Sequence, residues 1–164
     1  MNETCLRPGF NVSKSDPRIA FRGALDSLEA DILEAQVLAA EKKDEHCLKA
    51  LGEILLFVRE LMSAEVNERP VIQMKLFGLE LDELQRQSRV GMTLPSYTMG
   101  ALPVRLNSLR TRVREAELKG VAAFGEERNG VLHALNRLSS AVYYLFASGF
   151  DTPLLCAKLD PQNT

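Results

Sequence analysis

Between Arg105 and Phe146 the chain reads as two consecutive helical runs, RLNSLRTRVREAELKGVAAF and VLHALNRLSSAVYYLF. Along the first and just ahead of it, Leu102, Leu106, Leu109, Val113 and Ala116 recur at three- and four-residue steps, which draws one apolar stripe on an α-helix. Arg110, Arg114 and Glu117 fall one position round from that stripe, at i, i+4 and i+7, and so stack on one flank. In the second run Val131, Leu135, Leu138, Val142 and Leu145 make the stripe, with Asn136, Ser139, Ser140 and Tyr143 beside it. Helices packed by such stripes bring their polar flanks together, the layout of a site built between bundle helices.

The flanks carry unusual residues for helix interiors. Arg110 and Arg114 are like charges one turn apart, which costs a helix a few tenths of a kcal/mol. Asn136 has an amide that competes with the backbone for hydrogen bonds. Two readings are open. Arg114 pairs with Glu115 and Glu117 on a solvated face while Asn136 satisfies a neighbouring helix, or the cluster holds an anion.

Composition narrows the classes. A chain of 164 residues is read as one domain, long enough for a single core. With 46% hydrophobic and 26% charged residues, global disorder is not expected. The net charge of −2 gives no overall pull toward nucleic acid or an acidic membrane. Arg105, Arg110, Arg112 and Arg114 form a local basic run, but acids interleave and no aromatic platform accompanies it, so no nucleic-acid partner is expected. No apolar run reaches bilayer length and no signal pattern opens the chain, so no membrane role is expected. Cys5, Cys47 and Cys156 are scattered, and His46 and His133 lack a second ligand at metal-binding spacing. A disulfide framework, a zinc site and a His-based metal site are not expected; the reading is a reduced, cytoplasmic protein.

Taken in order, residues 1 to 17 read as an irregular arm, on two prolines, a glycine and several polar residues. Asp16-Pro17 then opens a helix, expected from about Arg18 to Lys43 with Leu25, Leu28, Ile32 and Ala35 facing inward. Gly23 within it implies a close approach by another backbone or a ligand. Lys42-Lys43-Asp44 breaks the helix and Asp44 caps the next, which carries Leu48, Leu51, Leu55, Val58 and Met62 and ends near Val66, before Pro70. A looser stretch from Met74 to Phe77 leads to a short helix with Asp82 and Glu83 in its first turn. Val90 to Ala101 reads as a loop, and residues 151 to 164 as a polar tail. The sum is an all-α antiparallel bundle of four long helices plus a short fifth.

Three blocks resemble the ATP:cob(I)alamin adenosyltransferases of the helical-bundle type. Lys14-Ser15-Asp16-Pro17-Arg18, followed by Gly23, Asp26 and Leu28, is similar to the family's K-x-D-x-R…G-x-x-D-x-L. Leu109-Arg110-Thr111-Arg112-Val113-Arg114-Glu115-Ala116-Glu117 is similar to A-R-T-x-x-R-x-A-E, and Leu135-Asn136-Arg137-Leu138-Ser139 matches L-N-R-L-S. The run from Phe21 to Ala30, FRGALDSLEA, resembles the ethanolamine-utilisation branch in particular.

The resemblance implies a reaction: cob(I)alamin attacks the 5′ carbon of ATP, giving adenosylcobalamin and releasing triphosphate. It implies that Arg114, Glu117 and Asn136 are catalytic, with Arg114 and Asn136 on the ATP and Glu117 helping to arrange its phosphates and Mg²⁺. Lys14, Arg18, Arg110 and Arg137 join them as cofactor-binding residues. Asp26 and Arg110 would form an ion pair across a subunit boundary of a homotrimer, with the nucleotide between neighbouring subunits. Cobalamin would lie over the ribose against apolar side chains, for which Met92, Leu94, Tyr97 and Met99 are candidates. A cobalamin reductase, an adenosylcobalamin-dependent lyase and a bacterial microcompartment are the implied surroundings. Fixed cations suit a leaving group of several negative charges, and a nucleophile carried by the corrinoid asks no Ser, Cys or His of the protein.

The chain departs from this pattern in places. The T-x-T-G-D-x-G-T phosphate loop of propanediol-type relatives is replaced by Gly9-Phe10-Asn11-Val12 ahead of Lys14, Ser140 stands where they carry Asp after L-N-R-L-S, and the His/Cys segment common in the ethanolamine branch is not among these residues. The alternative reading is therefore a catalytically reduced relative that binds adenosylcobalamin or serves as an assembly partner.

Overall fold

The computed structural model describes residues 2–72, 74–89 and 93–149. Two short strands, β1 (Glu3–Arg7) and β2 (Phe10–Ser13), precede five helices: α1 (Pro17–Glu41), α2 (Glu45–Val66), α3 (Leu81–Ser88), α4 (Ala101–Phe124) and α5 (Asn129–Ser148). The bundle of four long helices and a short fifth is as the periodicity predicts. Its inward faces are the predicted stripes: Leu25, Leu28, Ile32 and Ala35 of α1, Leu106, Leu109 and Val113 of α4, and Leu135, Leu138 and Val142 of α5 are all buried.

Cross-helix contacts fix the packing. Arg59 of α2 meets Glu29 of α1, and Glu65 meets Arg22; Arg105 of α4 meets Glu34, and Arg112 meets Asp31. In each pair the numbers rise on one helix as they fall on the other, so α1 runs antiparallel to both α2 and α4. The same holds between α4 and α5, where Glu117 faces Asn136 and Arg110 faces Tyr143. α2 and α5 also touch, closing the ring, and α3 lies along α5.

The helix ends follow local chemistry. Asp16 caps α1 by accepting from the Arg18 N–H, with Pro17 in the first turn, and Asp44 caps α2 by accepting from the Cys47 N–H. α4 ends at Gly125, whose φ of 54° is costly for residues with a Cβ.

One expectation needs correction. The arm is not irregular: Glu3 pairs with Ser13, Thr4 with Val12 and Cys5 with Asn11 in an antiparallel hairpin turned at Gly9, φ 77°. Alternation hides here because only Leu6 is buried, so the strands lack the period-two apolar pattern that sequence reading depends on. Their pairing is set instead by the turn and by Arg22, which reaches back to the Leu6 carbonyl. The close approach expected at Gly23 is not made within the chain, since no atom lies within 4 Å of where its Cβ would be. Gly120 holds that place, with Leu132 and Phe21 side chains 2.7 and 3.0 Å from the same point. The tail, residues 151 to 164, lies outside the described residues.

Candidate functional site

The polar flanks of α4 and α5 meet as their spacing predicts. The Asn136 amide nitrogen donates to Glu117 Oε1 at 2.9 Å, and Arg137 Nη1 donates to Asn136 Oδ1 at 2.8 Å. Arg137 Nε in turn donates to Asp82 Oδ1 of α3 at 2.5 Å. Four side chains from three helices thus form one continuous chain. The Arg137 guanidinium holds the Asp82 carboxyl below the usual carboxylate range.

Arg114 stands one turn before Glu117 and is exposed. Glu115 is engaged by Arg112 and by Lys119, each at 2.9 Å, and Glu117 by Asn136. The solvated-face reading, in which Arg114 pairs with those glutamates, is not what the chain does. Arg114 has no ion pair among the described residues, and its charge is open to a ligand.

Arg110 lies further along the same flank, half-buried, with its guanidinium carbon 5.9 Å from the centre of the Tyr143 ring. Its Nε is buried and unpartnered within the chain. The Tyr143 hydroxyl accepts from the Thr93 N–H at 2.9 Å, which ties the segment leading into α4 to α5. Along that segment Leu94 and Tyr97 are exposed and Met99 is half-buried; Met92 lies outside the described residues.

The remaining predicted residues are placed apart. Lys14 is exposed just after β2, and Arg18 is engaged by Asp16 at 2.7 Å. Asp26 is exposed on α1 and does not meet Arg110, which points to α5 instead. No group of three or more His, Cys, Asp or Glu suited to a metal occurs among the described residues. Asp82 was not evident as a partner of this cluster: 55 residues separate it from Arg137, and no local spacing signals the pair.

Two pockets lie elsewhere. One of about 540 Å³ opens between Phe57, Arg69, Met74 and the first turns of α5, with Asp82 and His133 on its rim. Another of about 400 Å³ lies beneath the hairpin, among Arg7, Arg18, Arg22, Glu65 and Arg128. Neither is lined by Arg114, Glu117 or Asn136, of which Arg114 is exposed and the other two are half-buried. No helix among the described residues is long and apolar enough to cross a membrane.

The chain matches the cobalamin adenosyltransferase family over residues 2–148. It belongs to that family. It is 35% identical over 164 residues to the corrinoid adenosyltransferase EutT of Salmonella typhimurium, a match covering 92% of this chain and 60% of the relative. The EutT protein of Escherichia coli K12 is 33% identical over 146 residues, covering 82% of this chain and 53% of the relative. The chain thus spans little more than half the length of these relatives. No solved structure matches it.

Proposed function

We propose that this protein transfers the 5′-deoxyadenosyl group of ATP to cob(I)alamin, as a corrinoid adenosyltransferase of the ethanolamine-utilisation branch. The observation that carries the reading is the α4–α5 cluster: an exposed, unpaired Arg114 one turn from a Glu117–Asn136 hydrogen bond. Family membership and the corrinoid adenosyltransferase names of the relatives support it.

In this reading the corrinoid supplies the nucleophile. The Co(I) electron pair forms the bond to C5′, the C5′–O bond breaks, and both its electrons leave with triphosphate. Arg114, together with Lys14 from the hairpin arm of a neighbouring copy, lies against the phosphates and stabilises the charge that grows there. Asn136 retains one N–H and one lone pair beyond its bonds to Glu117 and Arg137, and these orient the nucleotide. Glu117 keeps its second oxygen for the Mg²⁺ that arrives with ATP. The exposed Leu94 and Tyr97 offer apolar surface to the corrin ring. Asp26 and Arg110 pair across the boundary of a homotrimer, which closes the site around the nucleotide. A cobalamin reductase upstream, an adenosylcobalamin-dependent lyase downstream and a cytoplasmic or microcompartment setting complete the proposal.

Anaerobic mixing of the protein with MgATP and chemically reduced cobalamin tests it. The expected result is loss of cob(I)alamin absorbance and growth of light-sensitive adenosylcobalamin, abolished by Arg114→Ala or Asn136→Ala. Adenosylcobalamin binding without turnover would instead support the catalytically reduced alternative. Failure of both would sink the assignment.

A further inference from the structure

The amide of Asn136 can sit in two orientations related by a half-turn, which exchange its oxygen and nitrogen. Its surroundings permit one. Glu117 Oε1 at 2.9 Å requires a donor, and Arg137 Nη1 at 2.8 Å requires an acceptor. The reversed amide would set oxygen against carboxylate and NH₂ against guanidinium, leaving both bonds unmade. The orientation is held from both sides, and the Arg137 side is only as firm as the position of that guanidinium.

Arg137 does not hold itself. Its side chain is 18% exposed, and the carboxylate on its Nε is Asp82, projecting from the first turn of α3. Without Asp82, the next carboxylate along the chain of hydrogen bonds is Glu117, just beyond Asn136. A freed guanidinium would compete for it and displace the amide. His133 does not substitute for Arg137 at Asp82, since its Nε2 is 3.9 Å from the same oxygen, beyond hydrogen-bond reach.

We propose that Asp82 is a positioning residue for the nucleotide site: by holding Arg137 it fixes the Asn136 amide with nitrogen toward Glu117 and oxygen toward Arg137. The role rests on the reading of Asn136 as a nucleotide-binding residue, and it gives α3 a part in that site although α3 contributes nothing to the α4–α5 flank. It also separates Arg137 from Arg114. Arg137 acts on the nucleotide through Asn136, while Arg114 is left open to the phosphates.

An exposed ion pair contributes little to stability, and the Asp82 side chain is 68% exposed. Removing it should therefore leave the fold intact and be felt at Asn136. The test combines Asp82→Ala, the conservative Asp82→Glu, and Glu80→Gln as a control at a neighbouring acid that pairs with Lys75 instead. In the free protein, the side-chain ¹⁵N–¹H resonances of Asn136 should shift in Asp82→Ala, return toward wild type in Asp82→Glu and stay unmoved in Glu80→Gln. In steady-state assays Asp82→Ala should raise KM for ATP about tenfold, within the range for residues coupled in one network, with KM for cob(I)alamin unchanged. An unshifted Asn136 amide in Asp82→Ala would overturn the proposal whether or not the protein turns over. A shifted amide with KM for ATP unchanged in an active enzyme would also overturn it. Absence of turnover in the wild type would instead count against the assigned reaction, leaving the amide measurement to decide the orientation.

Discussion

Arg22 Nε lies 2.7 Å from Glu65 Oε2, joining α1 to α2, and the same guanidinium donates to the Leu6 carbonyl of the hairpin. The Glu65 side chain is only 6% exposed. A buried pair of this kind adds little over apolar packing, but breaking it strands a charge. Glu65→Ala should therefore lower unfolding stability by about 3–5 kcal/mol, measured by chemical denaturation. Because Arg22 also holds Leu6, hydrogen exchange at Glu3–Ser13 should accelerate by more than the global loss explains. Equal effects across the chain would mean that the hairpin is held by something else.

Gly120 sits where α4 meets α1 and α5, and a Cβ there would lie 2.7 Å from Leu132 Cδ2 and 3.0 Å from the Phe21 ring. Leu132 can turn its methyl aside, but Phe21 is fully buried and edge-on to Phe124. Helix propensity favours Ala over Gly by about 1 kcal/mol, so the sign depends on the clash. Overpacking should prevail, with Gly120→Ala losing about 1–2 kcal/mol net in thermal denaturation. Stabilisation would show that Phe21 can shift.

Legibility in the sequence follows the range of each interaction. The stripes Leu106–Leu109–Val113 and Leu135–Leu138–Val142 are local repeats of 3.6-residue period, so four helices, their caps at Asp16 and Asp44, and the meeting of Glu117 with Asn136 could all be anticipated. Asp82–Arg137 and Arg22–Glu65 span loops with no periodic signature, and the chain shows two charged residues in each case without showing the pair. The hairpin is hidden for a different reason: four of its five β1 residues are not buried, so hydrophobic patterning has nothing to mark. Gly23 and Gly120 are both helical glycines, and only packing tells them apart.

Two cysteines offer a chemical check on burial. Desolvation, reinforced by the Asp44 carboxylate, pushes the Cys47 thiol up to about 12, while Cys5 is exposed on β1. The thiolate is the reactive form. In a Cys156→Ser background at pH 8, one thiol should react rapidly with a disulfide reagent and the second only on unfolding. Two fast equivalents would contradict the packing of the first turn of α2.

Arg18 holds the Asp16 carboxyl at about 2, chiefly through its side-chain hydrogen bond and then through the backbone N–H that Asp16 caps. An unfolded Asp titrates at ~3.9, so the folded chain binds fewer protons at this site than the unfolded one below pH ~5. The stabilisation is present above the unfolded value and is lost as pH falls through the folded one. Carbon-detected NMR should place the Asp16 midpoint near 2, and Asp16→Asn should flatten the acid limb of the stability curve between about pH 4 and 2. An Asp16 midpoint at the ordinary value would mean that the Arg18 contact does not persist in solution.

The assembly makes the last prediction. Asp26 is exposed on α1, Arg110 has a buried and unpartnered Nε, and within the chain the two do not meet. If they pair between copies in a trimer, Arg110→Asp leaves two carboxylates facing each other at each boundary, and like charges in contact across an interface cost several kcal/mol. Sedimentation should then show dissociation toward monomer for Arg110→Asp and equally for Asp26→Arg. The double variant Asp26→Arg/Arg110→Asp restores opposite charges and should recover the trimer. Stability of the isolated chain should change little at Asp26, which is exposed. Single variants that remain trimeric, or a double variant no better than either single, would remove this pair from the interface.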